Sequence, residues 1–494
     1  MKNLKERAIR GGFARVCAQS IYFALRIGAL MILARLLDPK DFGLVGMVTA
    51  FTSVLNLFRD FGLSTATVQR ADITDDQIST LFWINILVGM ILTVSLSVMA
   101  PVVVHFYREP RLFWVTIALA TGFLINAAGV QHSALLQREM RFTALAIIQI
   151  IALVASTGLG IGAALLGYGY WSLVVLSVTL PLVSTVLFWM ATSWIPGKPR
   201  KGVGVLPMIH FGGSVTVISL IVYVAYNLDK VLLGRFWGAE ALGIYGRSYQ
   251  IINIPTDNLN SAVGEVAFAA LSRLQGDAVR LRNYFLKGYS LVLALTVPMT
   301  CIIAIFPHDL VMVVLGAKWG PAAKILQYLS PTVLVFAIIN PLGWMLFATG
   351  KVKESLKRAS VLAPVVIAGY SLGLHYGPQG VAIGFSAAMM LWALPHIAWC
   401  VRGTPISFGD VMRVMAKPLF SGIVAVAMAV GFQYFSSQWL PFPRLVVGVS
   451  TLLGTYYFML LYAMGQKPFY LDLLRGLLKR PTVEIEPETV TQDV

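Results

Sequence analysis

The chain of 494 residues is 57% apolar and only 12% charged, with a mean hydropathy of +0.77. Ordinary soluble chains carry about 25% charged residues, so this composition excludes a soluble globular protein and predicts a polytopic membrane protein. The net charge of +16 would point to nucleic acid in a soluble chain. Here the basic residues fall in short loops between apolar runs, where they meet anionic headgroups and set topology, so nucleic acid is not an expected partner.

A membrane-crossing helix needs about 20 mostly apolar residues, and on that basis fourteen are predicted. They fall at residues 12–36, 42–69, 78–104, 112–136, 142–167, 170–194, 206–236, 241–272, 284–306, 322–349, 356–375, 379–401, 412–435 and 442–464. The first follows a basic start (Lys2, Lys5, Arg7, Arg10) and is too long for the apolar core of a cleaved signal, so it is read as a span. Sorting the 38 Lys and Arg residues onto this plan with the N-terminus inside puts 25 on cytoplasmic segments, 8 on outer loops and 5 within helices. That asymmetry predicts a positive-inside arrangement with both termini in the cytoplasm. The tail beyond residue 465 is polar, ends among Glu484, Glu486 and Glu488, and is expected to be disordered at its end.

The chain repeats at an offset of 200 residues. ILARLLDPKDFGLVGM (32–47) aligns with LLGRFWGAEALGIYGR (232–247), pairing Leu33 with Leu233, Arg35 with Arg235, Gly43 with Gly243 and Gly46 with Gly246. Helix 1 then corresponds to helix 7, and the halves are expected to be parallel repeats about an axis along the membrane normal, with the transport site between them. The predicted organisation is an N-lobe (1–200), a C-lobe (201–405), two further helices (406–465) and a cytoplasmic tail (466–494). The fold class is therefore all-α and integral to the membrane, with two six-helix lobes.

Polar residues form stripes on four helices. Arg15, Gln19, Tyr22 and Arg26 are spaced four, three and four, which places them on one face of helix 1. Helix 2 carries Thr49, Asn56, Arg59 and Asp60; helix 7 carries Ser219, Tyr223, Tyr226 and Lys230, with Asp229 beside them; helix 8 carries Arg247, Asn253, Asp257 and, a turn or two further, Glu265. A lone charge at the bilayer centre costs roughly 2.5–3.5 kcal/mol on insertion scales, so the stripes are expected to face a watery central cavity or one another. Arg26 has no acid on its own helix to pair with and is the foremost candidate. Arg35 and Arg235, at outer helix ends, are expected to snorkel to the headgroups. Arg59 and Asp60 also admit a structural pairing, and Asp229 has two readings, an ion-pair partner of Arg247 and a proton site. Pro255 is expected to kink helix 8, either to free carbonyls toward the cavity or simply for packing. Asp60, Asp229, Asp257 and Glu265 are the candidate ion-coupling acids.

Three cysteines (Cys17, Cys301, Cys400) lie in apolar segments without a CxxC, and the six histidines include no HExxH, so neither a disulfide framework nor a zinc site is predicted. A GxxxxGK[ST] phosphate loop is also missing, which argues against ATP as the direct energy source.

The stretches ARLLDPKDFGLVGM, FRDFGLSTATVQR, LDKVLLGRFWGAEALGIYGRSYQ and VLGAKWGPAAKILQYLSP together resemble the polysaccharide transporters of the multidrug/oligosaccharidyl-lipid/polysaccharide exporter superfamily, in particular the Wzx-type flippases of exopolysaccharide clusters. The resemblance covers nearly the whole chain. It implies movement of an undecaprenyl-pyrophosphate-linked oligosaccharide repeat unit to the outer leaflet, with no enzyme activity, no cofactor beyond coupling to H+ or Na+, and a polymerase and export machinery as partners. It also implies a cationic cavity with arginines on helices 1, 2 and 8, to which Arg15 or Arg26, Arg59 and Arg247 correspond by helix. Arginine's fork of donors suits pyrophosphate oxygens, while tyrosines and amides suit sugar hydroxyls. The alternatives are an ion-coupled multidrug or cation antiporter of the same superfamily, which would favour an acid-dominated cavity, and a membrane glycosyltransferase or polymerase, which would need a sizeable outer loop with clustered carboxylates.

Overall fold

The computed structural model describes residues 2–59, 64, 67–68, 73–200 and 206–478; within these, the side chains of 2–18, 206–219, 221–222, 258–262, 265–266, 269, 352–353, 355–356 and 473–478 are not described. Every regular element among the described residues is helical. The first six helices are α1 (Lys2–Leu36), α2 (Pro39–Asn56), α3 (Asp75–Tyr107), α4 (Leu112–Arg138), α5 (Phe142–Leu165) and α6 (Trp171–Thr192). A helical stretch Leu206–Arg273 then breaks at Gly238, whose φ of 79° only glycine adopts readily, giving α7 (206–237) and α8 (239–273). Helices α9 (Ala278–Ile305), α10 (Ala322–Ala348), α11 (Val352–Gly373), α12 (Gly377–Val401), α13 (Phe408–Phe435) and α14 (Pro441–Phe458) complete the bundle, with a short helix Pro307–Val314 between α9 and α10.

Ten stretches among the described residues are long and apolar enough to cross a membrane, one of them holding both α11 and α12. The others of the predicted spans are α2, α7 and α8, three of the four helices that carry polar stripes. Pro255 lies inside α8 with helical residues on both sides of it, and the break at Gly238 falls between the spans predicted at 206–236 and 241–272.

Loops at alternate helix ends gather on two opposite faces. On one, Lys318 Nζ donates to Asp38 Oδ1 at 2.8 Å, and Trp237 Nε1 donates to the Leu374 carbonyl at 2.8 Å. On the other, Lys351 Nζ donates to the Gly403 carbonyl at 2.6 Å, and Arg282 Nε donates to Asp410 at 2.9 Å. Asp410 also closes a capping box with Ser407, which ties the start of α13 down at two points. The first face is called here the Asp38 face.

Among α1–α6, α3 packs on α4, α5 on α6, α4 on α6 and α1 on α5, while α2 packs mainly on the α7–α8 stretch of the second lobe; α13 and α14 are laid against α9. Small residues set the tightest crossings, as membrane helices require when lipid is as apolar as leucine. Gly369 and Gly373 of α11 face Gly380 and Gly384 of α12, so that a methyl on Gly373 would fall 2.1 Å from the Gly380 carbonyl oxygen.

Helix α14 is pinned by Arg444, whose Nε reaches both carboxylate oxygens of the fully buried Asp309 at 2.9 and 3.0 Å. Arg444→Ala strands that carboxylate and is expected to cost about 3–5 kcal/mol, lowering the melting temperature of purified protein in detergent. Asp309→Leu combined with Arg444→Met should recover much of the loss. An unchanged melting temperature in Arg444→Ala would remove the pair from the list of structural ties.

Candidate functional site

Helix α2 is a wall between two neighbouring cavities. On one side lies an interlobe chamber of about 630 Å³, lined by Arg26, Ser53, Tyr223, Lys230, Arg247, Asn253 and Asp257 among others. On the other lies a chamber of about 900 Å³ inside the N-lobe, lined by Gln19, Tyr22, Asn56 and Arg59 and by residues of α4, α5 and α6. Thr49 borders both. The stripes therefore do not share one cavity, as the sequence suggested. The α1 stripe passes from the N-lobe chamber at Gln19 and Tyr22 to the interlobe chamber at Arg26, because the helix turns its polar face past the edge of α2.

Among the described residues, three cations meet one acid in the interlobe chamber. The Arg247 guanidinium sits 4.0 Å over the Phe42 ring and donates to Gln250 Oε1. Lys230 Nζ donates to Asn227 Oδ1 at 2.7 Å and lies 4.3 Å from the centre of the Tyr249 ring. Each aromatic face contributes about 0.5–2 kcal/mol toward holding a cation away from bulk water. Arg26 is exposed to the chamber and makes no hydrogen bond or ion pair among the described residues. Asp257 interacts electrostatically with both Arg26 and Lys230. The result is a positively charged chamber with a carboxylate at its margin, suited to a multiply charged anion.

Several expectations are corrected. Asp229 is fully buried and faces away from both chambers: Tyr245 Oη donates to its Oδ2 at 2.6 Å, and the Lys230 amide donates to its Oδ1 at 2.8 Å. Arg247 is not its partner. Tyr226 turns from the interlobe chamber into a side pocket of about 250 Å³ beside Phe336 and Asn340. Arg35 does not simply snorkel; its Nη2 donates to the Val313 carbonyl at 2.9 Å, tying α1 to the end of the short helix. Arg235 lies 5.7 Å from the centre of the Phe106 ring. Asp60 lies outside the described residues, as do the side chains of Arg15 and Glu265.

Sequence reasoning missed the rest of the N-lobe chamber. Gly122, Asn126, Gly129, Ser133 and Gln137 of α4 all line it, at spacings of four, three, four and four, as do Ser177, Pro181 and Ser184 of α6. The α4 spacing was a readable signal, because a helix face so rich in small and polar residues points inward in a membrane.

The lobes meet at the Asp38 face through α2 and α8, and the contact is reciprocal. A methyl on Gly43 would fall 1.6 Å from the Ala239 carbonyl oxygen, and one on Gly243 would fall 1.9 Å from the Pro39 carbonyl oxygen. Residues 43 and 39 thus face 239 and 243, the same two positions shifted by 200, which is the signature of a pseudo-twofold contact. It places the internal repeat at the register read from the sequence.

The family profile described as "Polysaccharide biosynthesis protein" matches residues 32–324, more than half of the chain. The chain belongs to the polysaccharide biosynthesis protein family. Among its relatives, the lipopolysaccharide biosynthesis protein WzxC of Escherichia coli (strain K12) is 27% identical over 91% of this chain and 88% of its own. The teichuronic acid biosynthesis protein TuaB of Bacillus subtilis (strain 168) is 29% identical over 91% and 92%. The fold is that of "Lipid II flippase MurJ, inward closed conformation" (TM-score 0.72, 13% identity, 93% of this chain and 99% of that one) and of an inward-facing multidrug resistance MATE family transporter of the MOP superfamily (TM-score 0.62, 16% identity, 82% and 98%).

In this polysaccharide biosynthesis protein, three of the stretches that carried the sequence resemblance converge at the Asp38 face. In LLDPKDFG, Pro39 opens α2 and the Asp38 amide donates to Asp41 Oδ2 at 3.1 Å, so the motif is a helix start. In GAKWGP, the buried Trp319 donates from Nε1 to the Ala34 carbonyl at 2.8 Å and packs edge-on against Phe42 at 5.3 Å. In GAEALGIYGR, Ala239 and Gly243 form the α8 half of the crossing. The family match spans this closure together with Lys230 and Arg247, but begins after Arg26.

Proposed function

We propose that this protein is a flippase that moves a polyprenyl-pyrophosphate-linked oligosaccharide repeat unit, carried on undecaprenyl, across the bacterial inner membrane for exopolysaccharide biosynthesis. The observation that carries the reading is the interlobe chamber, where Arg26, Lys230 and Arg247 converge against one carboxylate at the contact of two repeated lobes. A pyrophosphate must shed water to cross the bilayer, and fixed cations in a chamber of reduced dielectric replace that hydration. The polyprenyl chain stays in lipid between helices while the headgroup enters. WzxC and TuaB, named for lipopolysaccharide and teichuronic acid biosynthesis, support the same class of substrate.

The inter-lobe ties described lie toward the Asp38 face, so this state is closed there. Rocking of the lobes about the α2–α8 crossing then gives alternating access, and the substrate would pass to a polymerase and export machinery outside. Asp257 is the carboxylate placed to couple this motion to H+ or Na+. A cation antiporter is disfavoured, because three cations facing one acid repel a cationic drug.

Analysis of lipid-linked oligosaccharides in a deletion strain tests the reading. A complete repeat unit should accumulate, reachable only from the cytoplasmic side; an incomplete unit would point to a transferase instead. The orientation is tested separately. Cysteines introduced beside Lys198 and Lys351 should be labelled only from the cytoplasm and one beside Lys318 only from outside, and labelling of all three from one side would refute the arrangement.

A further inference from the structure

The described interiors of the two lobes differ. Among the described residues of the C-lobe, Tyr245, Tyr370, Phe385 and Met389 are each essentially without solvent exposure, and a side pocket of about 250 Å³ lies beside Phe336 and Asn340. In the N-lobe the space between α1, α2, α4, α5 and α6 is a chamber of about 900 Å³, near the upper end of the about 300–1,000 Å³ range for small-molecule sites. Its lining is chemically distinctive. Among the described residues Arg59 is its one charged lining group, and the walls carry carboxamides at Gln19, Asn56, Asn126, Gln137 and Gln149 and hydroxyls at Ser133, Ser177 and Ser184. Carboxamides present a donor and an acceptor side by side, the pattern that a sugar's vicinal hydroxyls match. Simple packing does not account for it, because the Cβ position of Gly122 meets nothing within 4 Å.

Resting on the flippase reading above, we infer that the N-lobe chamber is the glycan subsite: it receives the sugars next to the pyrophosphate while the interlobe chamber holds the pyrophosphate itself. Thr49 borders both chambers, so they adjoin across one helix, and the inference requires a headgroup anionic at one end and polyhydroxylic at the other to reach both sides of it. The division assigns two separable tasks. The interlobe cations supply affinity for any polyprenyl pyrophosphate, and the N-lobe chamber discriminates lipid carriers that bear sugars from those that do not. A bare carrier is therefore bound but gains nothing from the N-lobe, which keeps returning carriers from competing with loaded ones.

The test measures binding of two probes to purified full-length protein in nanodiscs: undecaprenyl pyrophosphate without sugar, and the lipid-linked oligosaccharide extracted from cells lacking this protein. The wild type is expected to bind the glycosylated probe at least about tenfold more tightly, a difference of about 1.4 kcal/mol. Gly122→Trp, which fills the open space beside α4, should erase that preference while leaving affinity for the bare probe intact. Asn126→Ala combined with Gln149→Ala should weaken it in the same direction, and stands in if the tryptophan variant does not fold. Arg247→Ala should weaken both probes alike. Equal binding of the two probes by the wild type, or a preference untouched by the chamber variants, overturns the glycan subsite while leaving the pyrophosphate site in place. If Arg247→Ala binds both probes as the wild type does, the flippase reading fails instead.

Discussion

Arg26→Ala is expected to abolish or nearly abolish exopolysaccharide export while the protein remains in the membrane at normal abundance. The guanidinium is exposed to the interlobe chamber and unpaired among the described residues, so its removal leaves neither a buried partner nor a cavity in a packed core, the usual causes of large destabilisation. What is lost is a charge-assisted hydrogen bond to a phosphate, worth about 1.5–3 kcal/mol, or about ten- to a hundredfold in affinity at 1.4 kcal/mol per decade. Arg26→Lys keeps the charge but not the bidentate fork and should retain part of the activity. Arg35→Ala, which removes one exposed bond to the Val313 carbonyl, should be far milder. Export normalised to membrane protein level ranks the three. Normal export by Arg26→Ala would sink the assignment, and loss of the protein itself would make Arg26 a structural residue.

What could be read from the sequence followed the strength of local periodicity. Polar stripes on α1, α2, α7 and α8 stand out against an apolar background, and three of the four basic candidates with described surroundings, Arg26, Lys230 and Arg247, do share one chamber. Arg59 went to the other because α2 ends at Asn56 and Arg59 lies in the turn that follows, outside the helical register of the stripe. Asp229 parts from the chamber on the geometry of the helix itself. Neighbours on a helix diverge by about 100°, so one of Asp229 and Lys230 had to face the lobe interior, and only the position of Tyr245 shows which. The N-lobe chamber was harder to see, since Asn, Gln and Ser within membrane helices serve equally as glue between helices. The tie from Arg35 to Val313 joins residues 278 apart, and no local pattern records it. The repeat, by contrast, was legible because Gly43 and Gly243 answer the same steric demand on each side of one crossing.

That crossing gives the second large effect. Gly43→Ala and Gly243→Ala should each abolish export, although alanine favours a helix over glycine by about 1 kcal/mol. Local propensity is outweighed by contact, because the new methyls would lie 1.6 and 1.9 Å from backbone carbonyl oxygens that cannot rotate away. The helices must separate, and the closure at the Asp38 face is lost. The exposed pair of Lys318 with Asp38 cannot compensate, since surface ion pairs contribute about 0–1 kcal/mol. A protein unable to close this face cannot complete a cycle, however well each lobe folds. The measurable consequence is access: a cysteine at Ser53, in the interlobe chamber, should react several-fold faster with an impermeant maleimide applied from the Asp38 side in either alanine variant than in the parent. Gly28→Ala is the matched control, because its added methyl would meet nothing within 4 Å, and it should change neither export nor labelling. If Gly43→Ala and Gly243→Ala both export normally with Ser53→Cys still shielded, the crossing is a packing contact and the gate lies elsewhere.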